Sequence, residues 1–153
     1  SFFSIFDIPF IDGSNTTPFN DNRSIIITKS IAEKLFGTTT AVGKVIKVNN
    51  KDNFTITGVI ENFPTNSSIR YDILMPFGIL NENYTENSYW KSLDADWGNY
   101  NYASYFLLKA GTDPVALGKQ LADMHRRNQD DDFLNDMQYL LQPITEMHLY
   151  TAR

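Results

Sequence analysis

The side chains able to do chemistry are few and scattered. His125 and His148 are the only imidazoles. Neither has a partner at metal spacing, and a zinc site needs three or four convergent donors. The chain contains no cysteine, which removes thiolate ligands and disulfides together. Glu146-Met147-His148 does not set two histidines one helical turn apart, as a zinc-protease helix does. His125 is expected, partly exposed, near the end of a long helix, where the C-terminal dipole favours an imidazole without any function. The run Asp130-Asp131-Asp132 and the pair Asp94 and Asp96 offer oxygen ligands. Neither has the alternating order, the glycine and the closing glutamate of a calcium loop, so both read as solvated acidic loops. From Gly37 to Lys44, five residues separate the two glycines and Val45 follows the lysine. A phosphate loop needs four residues there and a hydroxyl after the lysine. Serines occur without a G-x-S-x-G elbow. The sequons at Asn15, Asn22, Asn53, Asn66 and Asn83 are what an asparagine-rich chain produces by chance. These residues predict a non-catalytic domain with no metal and no cofactor.

What the chain concentrates is aromatic surface. Between residues 77 and 101, Tyr84, Tyr89, Trp90, Trp97 and Tyr100 interleave with Asn, Ser, Asp and Gly. Tyr and Trp provide contact area at low entropic cost, so Tyr89, Trp90, Trp97 and Tyr100 are the candidate partner contacts. The competing reading is that Trp90 and Trp97 anchor a long loop onto its own core.

The elements that must position these residues follow from periodicity. At 153 residues the chain can bury a sizeable core as one domain or two small lobes. A net charge of −5 opposes a phosphate-backbone partner, so nucleic acid is not expected. No apolar run reaches the roughly 18 to 20 residues of a membrane span. Ile25, Ile26 and Ile27 read as a strand buried on both faces. A short helix follows, with Ser30 and Glu33 as a capping box, Ile31, Leu35 and Phe36 as its apolar stripe, and Gly37 as its left-handed end. Val45 to Val48 and Phe54 to Ile60 read as a strand pair joined by the turn Asn49, Asn50, Asp52 and Asn53. Phe2, Phe3 and Phe6 fit a short amphipathic helix ended by Pro9, and a loop is expected from Asp12 to Arg23. Tyr71 to Met75 reads as a short strand. Farther on, Tyr102 to Lys109 predicts a central strand. Asp113 with Pro114 starts the longest helix, whose buried stripe is Leu117, Leu121 and Met124. Gln138 to Pro143 predicts a last strand, completing a βαβ or split βαβ arrangement.

The segments SIIITKSIAEKLFG, AVGKVIKVNN and FTITGVIENFPTNSSIRYDILMPF, in that order, resemble the MacB-like periplasmic core domain of FtsX/MacB-type ABC transporter permeases. FFSIFDIPF with Asp12-Gly13, then LLKAGTDPVAL and LQPITEMHL, extend the resemblance to both ends. Family members carry further domain before the FFSIF-like segment, so the chain looks like a piece of a permease's outer domain. The resemblance implies an α+β fold in two lobes: a mainly β, sabre-like lobe over residues 20–76 carrying one short helix, inserted into a porter-like α/β lobe of residues 1–19 and 77–153 with the split βαβ arrangement. It implies the periplasmic side of a bacterial inner membrane. Its partners would be the parent's transmembrane helices, a second permease copy, a cytoplasmic ATPase subunit or domain, and an envelope partner or exported substrate. The domain would couple ATP-driven helix motion to export or to envelope mechanotransmission. The alternative is an extracytoplasmic ligand- or carbohydrate-binding sensor using the aromatic stretch 84–102, which requires Trp90 or Trp97 on an open concave surface.

Overall fold

The structure, a computed structural model, describes residues 2–84, 92–129 and 137–147. The expectations for Tyr89, Trp90, Asp130 to Asp132 and His148 lie outside the described residues. The fold is of the α+β class, with two compact units, residues 1–83 and 84–153.

The first unit is built on one five-stranded sheet: β1 (Phe10–Gly13), β2 (Ser24–Thr28), β3 (Val45–Val48), β4 (Asp52–Ile60) and β5 (Ile73–Leu74). The order is β1-β4-β2-β5, and β3 also pairs with β4. β2 runs parallel to β4, while the remaining pairs are antiparallel. Every residue of β2 is buried, as its isoleucine run requires of a central strand. β4 alternates along its first half, burying Phe54 and Ile56 and exposing Thr55. It becomes buried on both faces at Val59 and Ile60, where β1 and β2 flank it. The β3–β4 turn places Asn49 and Asn50 at φ 52° and 55°, the left-handed pair that a primed hairpin turn demands.

α1 spans Phe2–Ile5, and its rings pack on later ones: Phe2 lies 4.7 Å from Phe6, tilted, and Phe3 meets Phe10 of β1 edge-on at 5.0 Å. α2 (Lys29–Phe36) follows β2 directly and packs Ala32, Ile31 and Phe36 into the core with Ile25, Ile27 and Ile56. It ends at Gly37, φ 68°, whose N–H donates to the Glu33 carbonyl.

Several local expectations are corrected here. The N-cap of α2 is Thr28, so Ser30 lies inside the first turn and forms no capping box. Its amide donates instead to Asn62 Oδ1 at 3.1 Å. Leu35 is 52% exposed, and the buried stripe centres on Ala32. Part of the expected loop after Asp12 belongs to a strand, since β1 pairs with β4 through Asp12 and Gly13. That pairing ties the opening segment to the sheet of the first unit, and the division between the units falls between Asn83 and Tyr84.

In the second unit, α3 (Pro114–Asn128) begins as expected, with the Asp113 carboxylate accepting from the Val115 N–H at 2.9 Å and Pro114 in the first turn. Its buried face is Gly118, Ala122 and His125, one residue on from the expected Leu117, Leu121 and Met124. Met124 is 39% exposed. The helix packs through its smallest residues because the backbone of Tyr139 crosses it closely: a Cβ on Gly118 would lie 2.3 Å from the Tyr139 carbonyl oxygen. Residues 102–109 and 138–143 form no strand, and among the described residues no ladder joins them. A β-rich run becomes a strand only beside a partner that takes its N–H and C=O groups.

Candidate functional site

Three aromatic residues of the second unit, Trp97, Tyr100 and Tyr139, gather around one imidazole. His125 is 3% exposed, not partly exposed as a helix-end position implied. Three turns of α3 carry it inward on the Gly118–Ala122 face, where the close approach of residues 137–141 closes over it. Its Nδ1 meets the Tyr139 hydroxyl, and its Nε2 lies 3.2 Å from Gln129 Oε1. A proton on Nε2 satisfies both bonds: Nε2–H donates to Gln129, and Nδ1 accepts from Tyr139. Burial holds the Tyr139 hydroxyl above its ordinary titration range, and the neighbouring Tyr100 adds to this, so the donor keeps its proton.

Trp97 and Tyr100 complete the cage. The indole centroid of Trp97 lies 5.9 Å from the His125 ring, and the Tyr100 ring stacks on it at 5.8 Å and 25°. Trp97 is half-buried in this packing, while Tyr100 remains 58% exposed. Of the four candidate contacts, the structure therefore brings Trp97 and Tyr100 together on one histidine. Tyr89 and Trp90 fall outside the described residues. Sequence reasoning missed Tyr139 and Gln129 as members of the cage. The only signal for Gln129 was its place one helical turn beyond His125, and Tyr139 carried none.

Polar atoms near the cage are also engaged. Asp96 Oδ2 accepts from the Tyr84 hydroxyl at 2.7 Å and from Asn99 Nδ2 at 3.0 Å. The bond to Asp96 is the main reason that Tyr84 is pushed up to about 12. Arg126 pairs with Asp123 on the outer face of α3. Beside that pair, an open cleft of about 630 Å³ runs between α3 and residues 137–141. Among the described residues no group of three or more His, Asp or Glu side chains is placed to hold a metal ion. Both imidazole nitrogens are engaged and two rings pack on the imidazole, so His125 ties Tyr139, Trp97 and Tyr100 to α3.

The model of the MacB-like periplasmic core domain family matches residues 1–124. This chain belongs to the MacB-like periplasmic core domain family. As such it is a periplasmic domain of a MacB- or permease-type ABC transporter. Among solved structures it is similar to a domain described as part of a permease protein from Porphyromonas gingivalis, with a TM-score of 0.62 and 26% identity over 96% of this chain and 67% of that one. It also shares the fold of the periplasmic region of MacB from Actinobacillus actinomycetemcomitans, with a TM-score of 0.54 and 10% identity over 99% of this chain and 63% of that one. No curated protein matches the chain. No helix among the described residues is long and apolar enough to cross a membrane.

Proposed function

We propose that this MacB-like periplasmic core domain is a non-catalytic mechanical element of its permease. It couples ATP-driven motion of the transmembrane helices to export or to mechanotransmission across the envelope. The observation that carries this reading is the family match over residues 1–124. Two compact units within one short chain suit the role, because force passes best between parts that each keep their own packing. In this reading residues 20–76 are the sabre-like lobe and residues 1–19 and 77–153 the porter-like lobe. The partners are the parent's transmembrane helices in the inner membrane, a second permease copy, and a cytoplasmic ATPase, fused or separate. An envelope protein or exported substrate receives the motion. Tyr89, Trp90, Trp97 and Tyr100 are the contacts proposed for that recipient.

The test uses the full-length permease with its ATPase in lipid nanodiscs. Residues 1–153 contain no cysteine, so Lys47→Cys on the exposed β3 offers a clean spin-label position within this domain. The distance distribution between labels on two permease copies is expected to shift between the nucleotide-free and vanadate-trapped states. A distribution that stays the same while the ATPase turns over would overturn the coupling.

A further inference from the structure

The two outer edges of the first unit's sheet are finished differently. β1 and β3 form one edge, on the side of β4 away from β2. That edge carries guards against further pairing: Lys47 is exposed within β3, and the β1 register breaks between Phe10 and Asp12. The other edge is β5, and no charged residue stands at positions 73–75 to guard it. It presents apolar side chains instead: Tyr71, Ile73, Met75 and Phe77 are each between 40% and 57% exposed. The backbone is set for pairing as well. The Thr28 N–H donates to the Asp72 carbonyl at 3.0 Å, so Asp72 turns its carbonyl towards β2. Directions alternate along an antiparallel ladder, so Ile73 and Met75 turn their N–H and C=O groups outward. Pro76 restricts Met75 to extended geometry, and the N–H that the proline lacks belongs to a position facing inward. Among the described residues no strand lies beyond β5.

An apolar edge with outward N–H and C=O groups is a template for one more strand. The order of residues matches that strand to a second copy of the same segment. Set antiparallel about Leu74, two copies put Ile73 opposite Met75 and Tyr71 opposite Phe77, so the exposed apolar residues of each copy meet those of the other. Every outward N–H of residues 73 and 75 then meets an outward C=O of the copy. Asp72 falls opposite Pro76, which keeps the two aspartates apart. We infer that the β5 edge pairs with the β5 edge of a second copy of this chain about a two-fold axis at Leu74, joining the two sheets into one. The inference rests on the proposal that two permease copies assemble, and it names the surface by which their periplasmic domains meet. A ladder this short buries too little area to hold two free domains together. Two copies anchored in one membrane supply the effective concentration that it needs.

The test uses the full-length permease with its ATPase in lipid nanodiscs, each copy carrying one of two affinity tags and no other cysteine. In the proposed register Leu74 faces its own copy at a Cα separation of about 4.5 Å, inside the disulfide range of about 4.4 to 6.8 Å. Leu74→Cys is therefore expected to give about tenfold or more disulfide-linked dimer than Lys47→Cys on the opposite edge. Leu74 is half-buried, so a second pair guards against a folding defect. Ile73→Cys in one copy and Met75→Cys in the other are both at exposed positions, and together they are expected to link more completely than either variant with itself. Co-purification of the two tags separates the layers of the argument. Copies that co-purify without either link overturn the edge pairing and leave two-copy assembly standing, whereas copies that do not co-purify overturn both. Links from residues 73–75 to a separate protein or to another segment of the permease would also overturn the pairing.

Discussion

Replacing Gly118 by alanine sets two physical effects against each other, and the structure decides the sign. In a free helix the change stabilises by about 0.8 to 1 kcal/mol, because glycine loses more backbone freedom on folding. Here the new Cβ would lie 2.3 Å from the Tyr139 carbonyl oxygen. That oxygen belongs to the main chain, so no rotamer change relieves the clash, and residues 137–141 must move off the helix. Overpacking of this kind costs about 1 to 3 kcal/mol. The same movement pulls the Tyr139 hydroxyl from His125, a bond contributing about 1 kcal/mol. The balance is a loss of about 1 to 3 kcal/mol. Urea unfolding followed by near-ultraviolet circular dichroism reads this directly, since Trp97, Tyr100 and Tyr139 all pack on His125. Ala116→Gly on the exposed face is the control, expected to cost about 1 kcal/mol from helix propensity alone. A Gly118→Ala protein that gains stability, as a free helix would, refutes the close packing of residues 137–141 on α3.

Other substitutions probe the remaining contacts. Asp12 Oδ2 accepts from the amides of Ala41 and Val42 at 3.0 and 3.1 Å, tying β1 to the loop before β3. Asp12→Ala should cost about 1 to 3 kcal/mol in urea unfolding and Asp12→Asn less, because the amide keeps one acceptor oxygen; equal stability of all three proteins contradicts the tie. Trp97→Ala should destabilise by about 2 kcal/mol, roughly half the cost of a fully buried ring, and lower the melting temperature. An unchanged melt would show that Trp97 anchors nothing. Tyr84 titrates at about 12 in the fold against an ordinary 10.0, so its contribution is complete below pH 10.0 and is lost as pH rises towards 12. Tyr84→Phe should flatten the stability curve across that window, and a curve of unchanged slope there would count against the Asp96 bond. Ile27→Ala empties a fully buried site in the central strand and should cost about 2 to 5 kcal/mol by the same urea assay; a loss under 1 kcal/mol would mean that the core there is not closed.

Legibility in the sequence tracked how local each signal was. β2 was readable because three consecutive isoleucines have one comfortable environment, a strand covered on both faces. The Gly37 end of α2, the Asn49-Asn50 turn and the Asp113-Pro114 start of α3 were readable because each uses backbone geometry that its own residues favour. The helix faces were not. Leu35 and Met124 looked buried by spacing, yet Ala32 and the Gly118, Ala122 and His125 face won, since small residues allow a neighbouring backbone to come close. Ser30 and Glu33 had the spacing of a capping box, but the helix starts at Lys29 and Asn62, distant in sequence, takes the Ser30 amide. Of the site, Trp97 and Tyr100 stood out by type. Their meeting at His125 was invisible, because the lid over that histidine comes from residues 137–141.

The sequence by itself determined the α+β class, the central strand, the helix ends and the family, since these are written in short-range pattern and in the order of segments. Tertiary structure decided which face of each helix is covered, that β1 closes onto β4, and that His125 is buried inside an aromatic cage. It also decided that, among the described residues, no ladder joins residues 102–109 and 138–143, whatever their β propensity. Periodicity reports what a segment can bury. Only the neighbour that arrives, and the hydrogen bonds that it offers, settles what the segment does bury and whether a β-rich run becomes a strand.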